Sequence, residues 1–453
     1  MYLFPYEKIP ANSSVVIHGY GQVGKDMVRQ LTNNRYCHIR RVLDKNAYAL
    51  FEGSLDLCLP DDFTPQTNDY ILLAVAPEQN KIQDEMIYYW LRRGISPDML
   101  ITITSPNYVP RHEPLCTSPI HDDILHIGFQ CCAGLGDAVM ELHLAHKLKD
   151  ILGTKCRISF ITRYAELFVG YPGIDEVCAT AEGRRFDVVF VNTYTTVLKY
   201  WSPEKIERLS PILFRFCVSL ITFLQDTRGE PNPLAIMMYG LLHKKKRAEM
   251  VDPLDMLNID IRQTPPFPYG EQEAAALHKY ELYPHKYIAL NRDVDCVLTL
   301  NHPKLWPIEY YAELVSLIKE VRTDIALVQV GARCATGKKL PVDIDLTGKT
   351  NLSELKAILR QAMFMISSEG GLVHLMNLLG GKSVVLYGPT DTKFYGYEEN
   401  LNCVDRGNEC CIPCHYIERN YLKGCVKGHV PPSCMQNLTP AKVYAQILNA
   451  AWL

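Results

Sequence analysis

Ile124-Leu125-His126-Ile127-Gly128-Phe129, followed by Cys132-Ala133-Gly134-Leu135-Gly136-Asp137, is the stretch from which the fold can be read. The first six residues are a short apolar run closed by a turn signal, as a buried strand is. The glycines that follow open a helix running to about residue 149. A strand that turns sharply into a helix is half of a βαβ unit, and such units build parallel sheets. Glycine at the turn also lets another molecule approach the backbone closely.

The same unit recurs on both sides. Upstream, a strand over 14–18 runs into Gly19-Tyr20-Gly21-Gln22-Val23-Gly24 and a helix over 25–31. A second strand over 39–43 ends in Asp44, a third covers 70–75, a helix passes through Tyr89, Trp90 and Leu91, and 99–103 suits a fourth strand. Downstream, strands are expected over 158–161 and 188–191, then a helical stretch over about 204–246. Gln263-Thr264-Pro265-Pro266-Phe267-Pro268 marks a joint. Beyond it, strands over 287–290, 325–330, 363–366 and 383–387 alternate with helices over 308–319, 352–361 and 374–379. The expected division is 1–118, 119–268 and 269–453. Two successive α/β blocks around a proline-rich joint form a clamp, with ligand at the C-terminal strand ends.

Hydrophobic residues make up 47% and charged residues 21% of the 453, as in a soluble globular protein of several cores. A net charge of -3 demands no nucleic acid. The start lacks the basic and apolar regions of a signal peptide. The most apolar stretch, 212–224, is broken by Arg215 and is too short to span a bilayer. A cytosolic protein is expected, its 16 cysteines mostly reduced.

Asp137 reads either as a general base facing the cleft or as a helix cap. Glu369-Gly370-Gly371-Leu372-Val373-His374 offers free backbone N–H groups at a helix start, which suit a diphosphate. His374 belongs to that site or is a satisfied core histidine. Lys304 suits phosphate, Trp306 suits the core, and Thr390 sits in a good turn. Gly19, Gly21, Gly24 and Asp44 read as a nucleotide site or as a tight turn between strand and helix. The run His243-Lys244-Lys245-Lys246-Arg247 reads as a solvated helix end, with contact to anionic lipid as the alternative.

Gly134-Leu135-Gly136-Asp137, Lys304-Leu305-Trp306-Pro307, Ser368 to Leu375 and Tyr387-Gly388-Pro389-Thr390-Asp391 stand in an order that resembles the heptosyltransferase-like glycosyltransferases, family 9. The resemblance covers about 122–450. It implies a GT-B fold, two Rossmann-like domains facing a cleft, here with a small Rossmann-like module added at the N-terminus. It implies an inverting, metal-independent transfer of a sugar such as a heptose from a nucleotide-sugar to a hydroxyl of a surface glycan, lipopolysaccharide, lipid-linked or protein acceptor. By the same resemblance Asp137 is the base, Lys304 contacts the donor diphosphate, and Glu369, Gly370, Gly371, Leu372, His374 and Thr390 belong to the donor site. Glu369 stands where the family usually has Asp, and Arg333 where it often has an acid, so the donor stays open.

Six cysteines crowd between Cys403 and Cys434. Cys411 and Cys414 form a CxxC, with Cys410 as a substitute for Cys411, and Cys425, Cys434, His415 and His429 follow. Four thiolates from one short segment close a tetrahedral site, for zinc ahead of iron. Some family members that glycosylate proteins carry a cysteine-rich, iron-binding element here. No cofactor is expected for catalysis itself. Two other readings compete. One is an NAD-dependent oxidoreductase or epimerase acting through Gly19-x-Gly21-x-x-Gly24. The other is a nucleotide-sugar-binding protein without catalysis.

Overall fold

The computed structural model describes residues 2–6, 8–47, 56–76, 79–103, 122–131, 134–226, 233–292, 302–332, 339–408, 413–418 and 420–453. Three α/β units follow one another along the chain. The first sheet has the order β3-β2-β1-β4-β5. Its strands are β1 (Ser14–His18), β2 (His38–Leu43), β3 (Leu57–Cys58), β4 (Asp69–Leu73) and β5 (Leu100–Thr102), all parallel. The second, β10-β9-β6-β7-β8, comprises β6 (Leu125–Cys131), β7 (Cys156–Thr162), β8 (Glu176–Cys178), β9 (Val188–Asn192) and β10 (Thr196–Trp201). It is parallel except where β10 returns against β9. The third, β13-β12-β11-β14-β15-β16, comprises β11 (Tyr287–Asn291), β12 (Ala326–Gln329), β13 (Ile344–Asp345), β14 (Met365–Ser368), β15 (Ser383–Tyr387) and β16 (Leu401–Val404). It is wholly parallel and has the strand order of a doubly wound nucleotide-binding domain.

The central strands were legible because both faces are covered: β11 and β15 are buried at every position. The edges were not. β3 and β13 have two residues each, too few for any periodicity, and half-buried β10 mixes Lys199 with aromatics. The helical stretch expected over about 204–246 contains three helices, Pro203–Leu209, Pro211–Asp226 and Pro233–Leu242, each opening on a proline, which is favourable only in a helix's first turn.

The first unit is fixed to the second. Arg29 Nη1 pairs with Glu207 Oε2 at 2.6 Å, and the Arg215 guanidinium lies 5.4 Å from the Tyr36 ring centre. One hydrophobic core runs from Phe4 and Tyr6 through Phe129 and Phe190 to Val373 and Tyr387. Trp306 is core as expected, 3% exposed with Nε1 donating to Leu438 O at 2.7 Å.

The joint residues hold the second and third units together. Tyr171 OH donates to Pro265 O at 2.6 Å, His143 Nδ1 lies 2.7 Å from Thr264 Oγ1, and Arg360 Nη2 donates to Phe267 O at 2.6 Å. Residues of both units line one cleft, the arrangement that the resemblance implies.

Candidate active site

Two glycine turns, one from each facing unit, abut at the floor of this cleft. Gly134-Leu135-Gly136 opens the helix Leu135–Leu152 and Gly370-Gly371 opens the helix Gly371–Leu378. A Cβ on Gly136 would lie 2.7 Å from His374 Cδ2 and 3.2 Å from Gly371 Cα; one on Gly371 would lie 3.0 Å from Gly136 N. Side chains are excluded, so two helix N-termini converge on one space. Their unpaired N–H groups and helix dipoles make it attractive to anions. The cleft above is about 610 Å³, lined on one side by Gly134–Asp137, Tyr194 and Arg247 and on the other by Lys304, Glu369–Leu372 and His374.

Asp137 is 31% exposed and accepts from Arg247 Nη2 at 2.5 Å through Oδ1. Its Oδ2 accepts the Gly134 N–H at 3.3 Å, which is one half of a capping box, since the N-cap Gly134 has no side chain to return a bond. Asp137 therefore both braces its helix start and presents a carboxylate to the cleft. One turn further along, Glu141 is fully buried and receives the Cys131 thiol at 2.5 Å. Burial, with help from the Asp137 charge, pushes its carboxyl up to about 8 against the opposing Cys131 bond and Arg247. Burial thus favours the protonated, uncharged form of Glu141.

Arg247 requires a correction to the sequence reading. The basic run reads as a solvated helix end, yet Arg247 is only 2% exposed. Its neighbours are paired as well: Lys245 Nζ with Asp255 at 2.6 Å and Lys246 Nζ with Glu398 at 3.1 Å. The misreading has a physical cause. The partners Asp137, Asn192, Asp255 and Glu398 are brought to the run by the fold, and only Asp255 is close in sequence. Tyr194, at the β9–β10 turn, was also missed. It lines the cleft at φ 69, a conformation bulky residues seldom adopt.

On the third unit, Lys304 Nζ pairs with Glu369 Oε2 at 2.5 Å; the side chains are 12% and 4% exposed. Burial alone would raise the Glu369 carboxyl, but Lys304, His374 and Thr390 outweigh it, and the group sits below its ordinary range. His374 is buried and its Nδ1 lies 2.9 Å from the Tyr397 hydroxyl. Burial lowers it to about 4, so it is a neutral packing and hydrogen-bonding group. Thr390 is fully buried beneath the cleft, and Asp391 caps the next helix by accepting Lys393 N at 3.1 Å. Gly331 and Ala332 line the cleft; Arg333 lies outside the described residues.

The N-terminal turn stands apart, and none of its four candidate residues lines this cleft. Gly19 has φ 107, and a Cβ on Gly24 would fall 2.0 Å from Gly19 O, so both glycines are needed by the turn itself. Gly21 has open space. Asp44 accepts Tyr20 N at 2.7 Å and Asn46 N at 2.8 Å.

Cys414, Cys425 and Cys434 line one small cavity of about 10 Å³, together with Pro389 and Arg406. Cys410 and Cys411 lie outside the described residues. Among the described residues, no group of three or more His, Cys, Asp or Glu is set to hold a metal ion. Neighbouring His415 is fully buried, with no hydrogen-bond partner for either ring nitrogen among them. The segment is also a wall of the larger cleft. Tyr421 and Leu422 line it, Tyr416 OH donates to Asp391 Oδ2 at 3.1 Å, and Arg406 Nη2 donates to Thr390 O at 2.5 Å.

Part of the chain is similar to known glycosyltransferases. Residues 257–423 match the model of glycosyltransferase family 9 (heptosyltransferase). Over 120 residues, 24% of the chain, there is 30% identity to lipopolysaccharide heptosyltransferase 1 of Escherichia coli O18:K1:H7 (strain RS218 / NMEC). The chain spans about a third, 36%, of that relative's length. Among solved structures, E. coli ADP-heptose LPS heptosyltransferase II is 16% identical, covering 72% of this chain and 98% of its own, with TM-score 0.48. The glycosyl transferase family 9 protein of Veillonella parvula DSM 2008 is 15% identical, covering 72% and 97%, with TM-score 0.45.

Proposed function

From a chain that carries a glycosyltransferase family 9 domain over residues 257–423, we propose an inverting, metal-independent transfer of a sugar from a nucleotide-sugar to an acceptor hydroxyl. One observation carries this reading: a carboxylate on the second unit and a lysine on the third, Asp137 and Lys304, line the same cleft where two helix N-termini meet. The acceptor oxygen attacks the anomeric carbon from the side of Asp137, which takes its proton. The bond from that carbon to the diphosphate breaks with its electron pair leaving on the phosphate oxygen. Lys304 and the N–H groups at the start of Gly371–Leu378 stabilise the departing charge, the role a divalent ion has elsewhere. A heptose is the sugar favoured by the family description, and a glycan, lipid-linked or protein hydroxyl is the acceptor. NAD chemistry at the N-terminal turn is disfavoured, because none of Gly19, Gly21, Gly24 and Asp44 lines the cleft, and Gly19 and Gly24 are needed by the turn itself.

No helix among the described residues is long and apolar enough to cross a membrane. Our reading places the protein in the cytoplasm. Met238, Leu241 and Leu242 are exposed beside Lys244, which favours peripheral contact with anionic lipid; absence of cosedimentation with anionic vesicles would exclude it.

The cysteine segment is read as a structural zinc or iron site of Cys411, Cys414, Cys425 and Cys434. Cys414, Cys425 and Cys434 line one small cavity but are not set there as a metal cage, so the reading rests on the number and spacing of the cysteines. A metal there would order the segment and take no part in transfer.

Asp137→Asn tests the catalytic assignment. It should fold, retain nucleotide-sugar binding and lose about 10²–10⁴ in turnover. Near-normal turnover would leave Asp137 as a capping-box residue only.

A further inference from the structure

We propose that Arg247 is a positioning residue for the transfer reaction, acting through Asp137 by immobilising one carboxylate oxygen so that the other receives the acceptor's proton. The inference rests on the reading of Asp137 as the base.

The geometry is specific. Arg247 Nη2 bridges Asp137 Oδ1 at 2.5 Å and Asn192 Oδ1 at 2.7 Å. Asp137 Oδ2 has, among the described residues, only the long 3.3 Å bond from Gly134 N. It is the oxygen less committed to the protein. The turn that carries the guanidinium, Arg247–Val251, is fastened at both ends. Glu249 Oε2 accepts Lys246 N at 2.7 Å, while Thr195 Oγ1 and Thr196 Oγ1 donate to Met250 O and Val251 O at 2.7 and 2.9 Å. Those threonines and Asn192 belong to the β9–β10 hairpin, which also carries Tyr194 into the cleft. One hairpin therefore holds the turn, the arginine's second acceptor and part of the cleft wall.

A competitor is present and is silenced. Glu141 lies one helical turn from Asp137, where residues share a face, and is within the field of Arg247. Kept protonated by burial and hydrogen-bonded to Cys131, it leaves the positive charge to Asp137. A buried ion pair is a weak source of stability compared with apolar packing, so stability alone gives little reason for one here. Lysine would not reproduce the planar bridge.

The test is a double-mutant cycle on the intact chain. Turnover is read as nucleoside diphosphate released from whichever of ADP-heptose or a GDP-, UDP- or CDP-sugar the wild type uses. Arg247→Met should lower kcat by about 10–100-fold with the donor KM nearly unchanged, and Arg247→Lys should recover part of the loss. In Asp137→Asn, adding Arg247→Met should cause little further loss, since the arginine acts only through that carboxylate. Independent, multiplying losses, or a loss confined to donor KM, would overturn the proposal. If Arg247→Met does not fold, Asn192→Ala replaces it in the cycle with the same criterion. A full-rate Asp137→Asn enzyme would instead remove the base reading on which the proposal stands.

Discussion

Glu141 makes the cleft's electrostatics measurable at a single residue. Its carboxyl ionises at about 8 in the fold, against an ordinary 4.5. Between those values the unfolded chain releases a proton that the folded chain keeps, so stability is lost as pH rises across that window. Glu141→Gln has no such loss. Its melting temperature should gain on the wild type as pH is raised from about 4.5 to about 8, with little difference at the acid end. A difference that stays constant with pH would mean that the buried carboxyl is ionised in the fold. Asp137 was legible because it follows a glycine turn at a helix start. Arg247, its partner 110 positions away, was not, because nothing local separates an arginine that the fold buries from the lysines before it.

At the scale of elements, the two glycine turns have consequences that their sequence motifs do not state. A motif shows that a turn wants glycine; only the fold shows that Gly136 wants it because His374 and Gly371 lie against it. Gly136→Ala should separate the two helix starts, destabilise the chain by about 1–3 kcal/mol and lower turnover at least about tenfold. Wild-type melting and turnover together would contradict the close approach. The cysteine segment was read from composition and spacing, but its contribution of Tyr421 and Leu422 to the cleft wall was invisible, since that depends on where the segment docks. Protein purified without a His-tag should hold about one equivalent of zinc plus iron. Less than about half an equivalent, with the six clustered thiols freely titratable in the native state, would rule the metal out.

For the whole molecule, three parallel-sheet units were expected, because strand–turn–helix alternation persists from Ser14 to Tyr387. Their mutual fit was not legible. The fixing of the first unit by Arg29 and Glu207, and the closure of the cleft by the 263–268 joint, depend on residues far apart in the chain. The account's central claim is that the cleft between the second and third units holds a nucleotide-sugar without a metal. Titration calorimetry of the intact protein with ADP-heptose and with GDP-, UDP- and CDP-sugars, in excess EDTA, tests it most directly. The account predicts one saturable donor site whose affinity is unaffected by the chelator and falls about tenfold or more in Lys304→Ala. Binding that requires added Mg²⁺ or Mn²⁺, or binding of NAD alone with none of these donors, would contradict it.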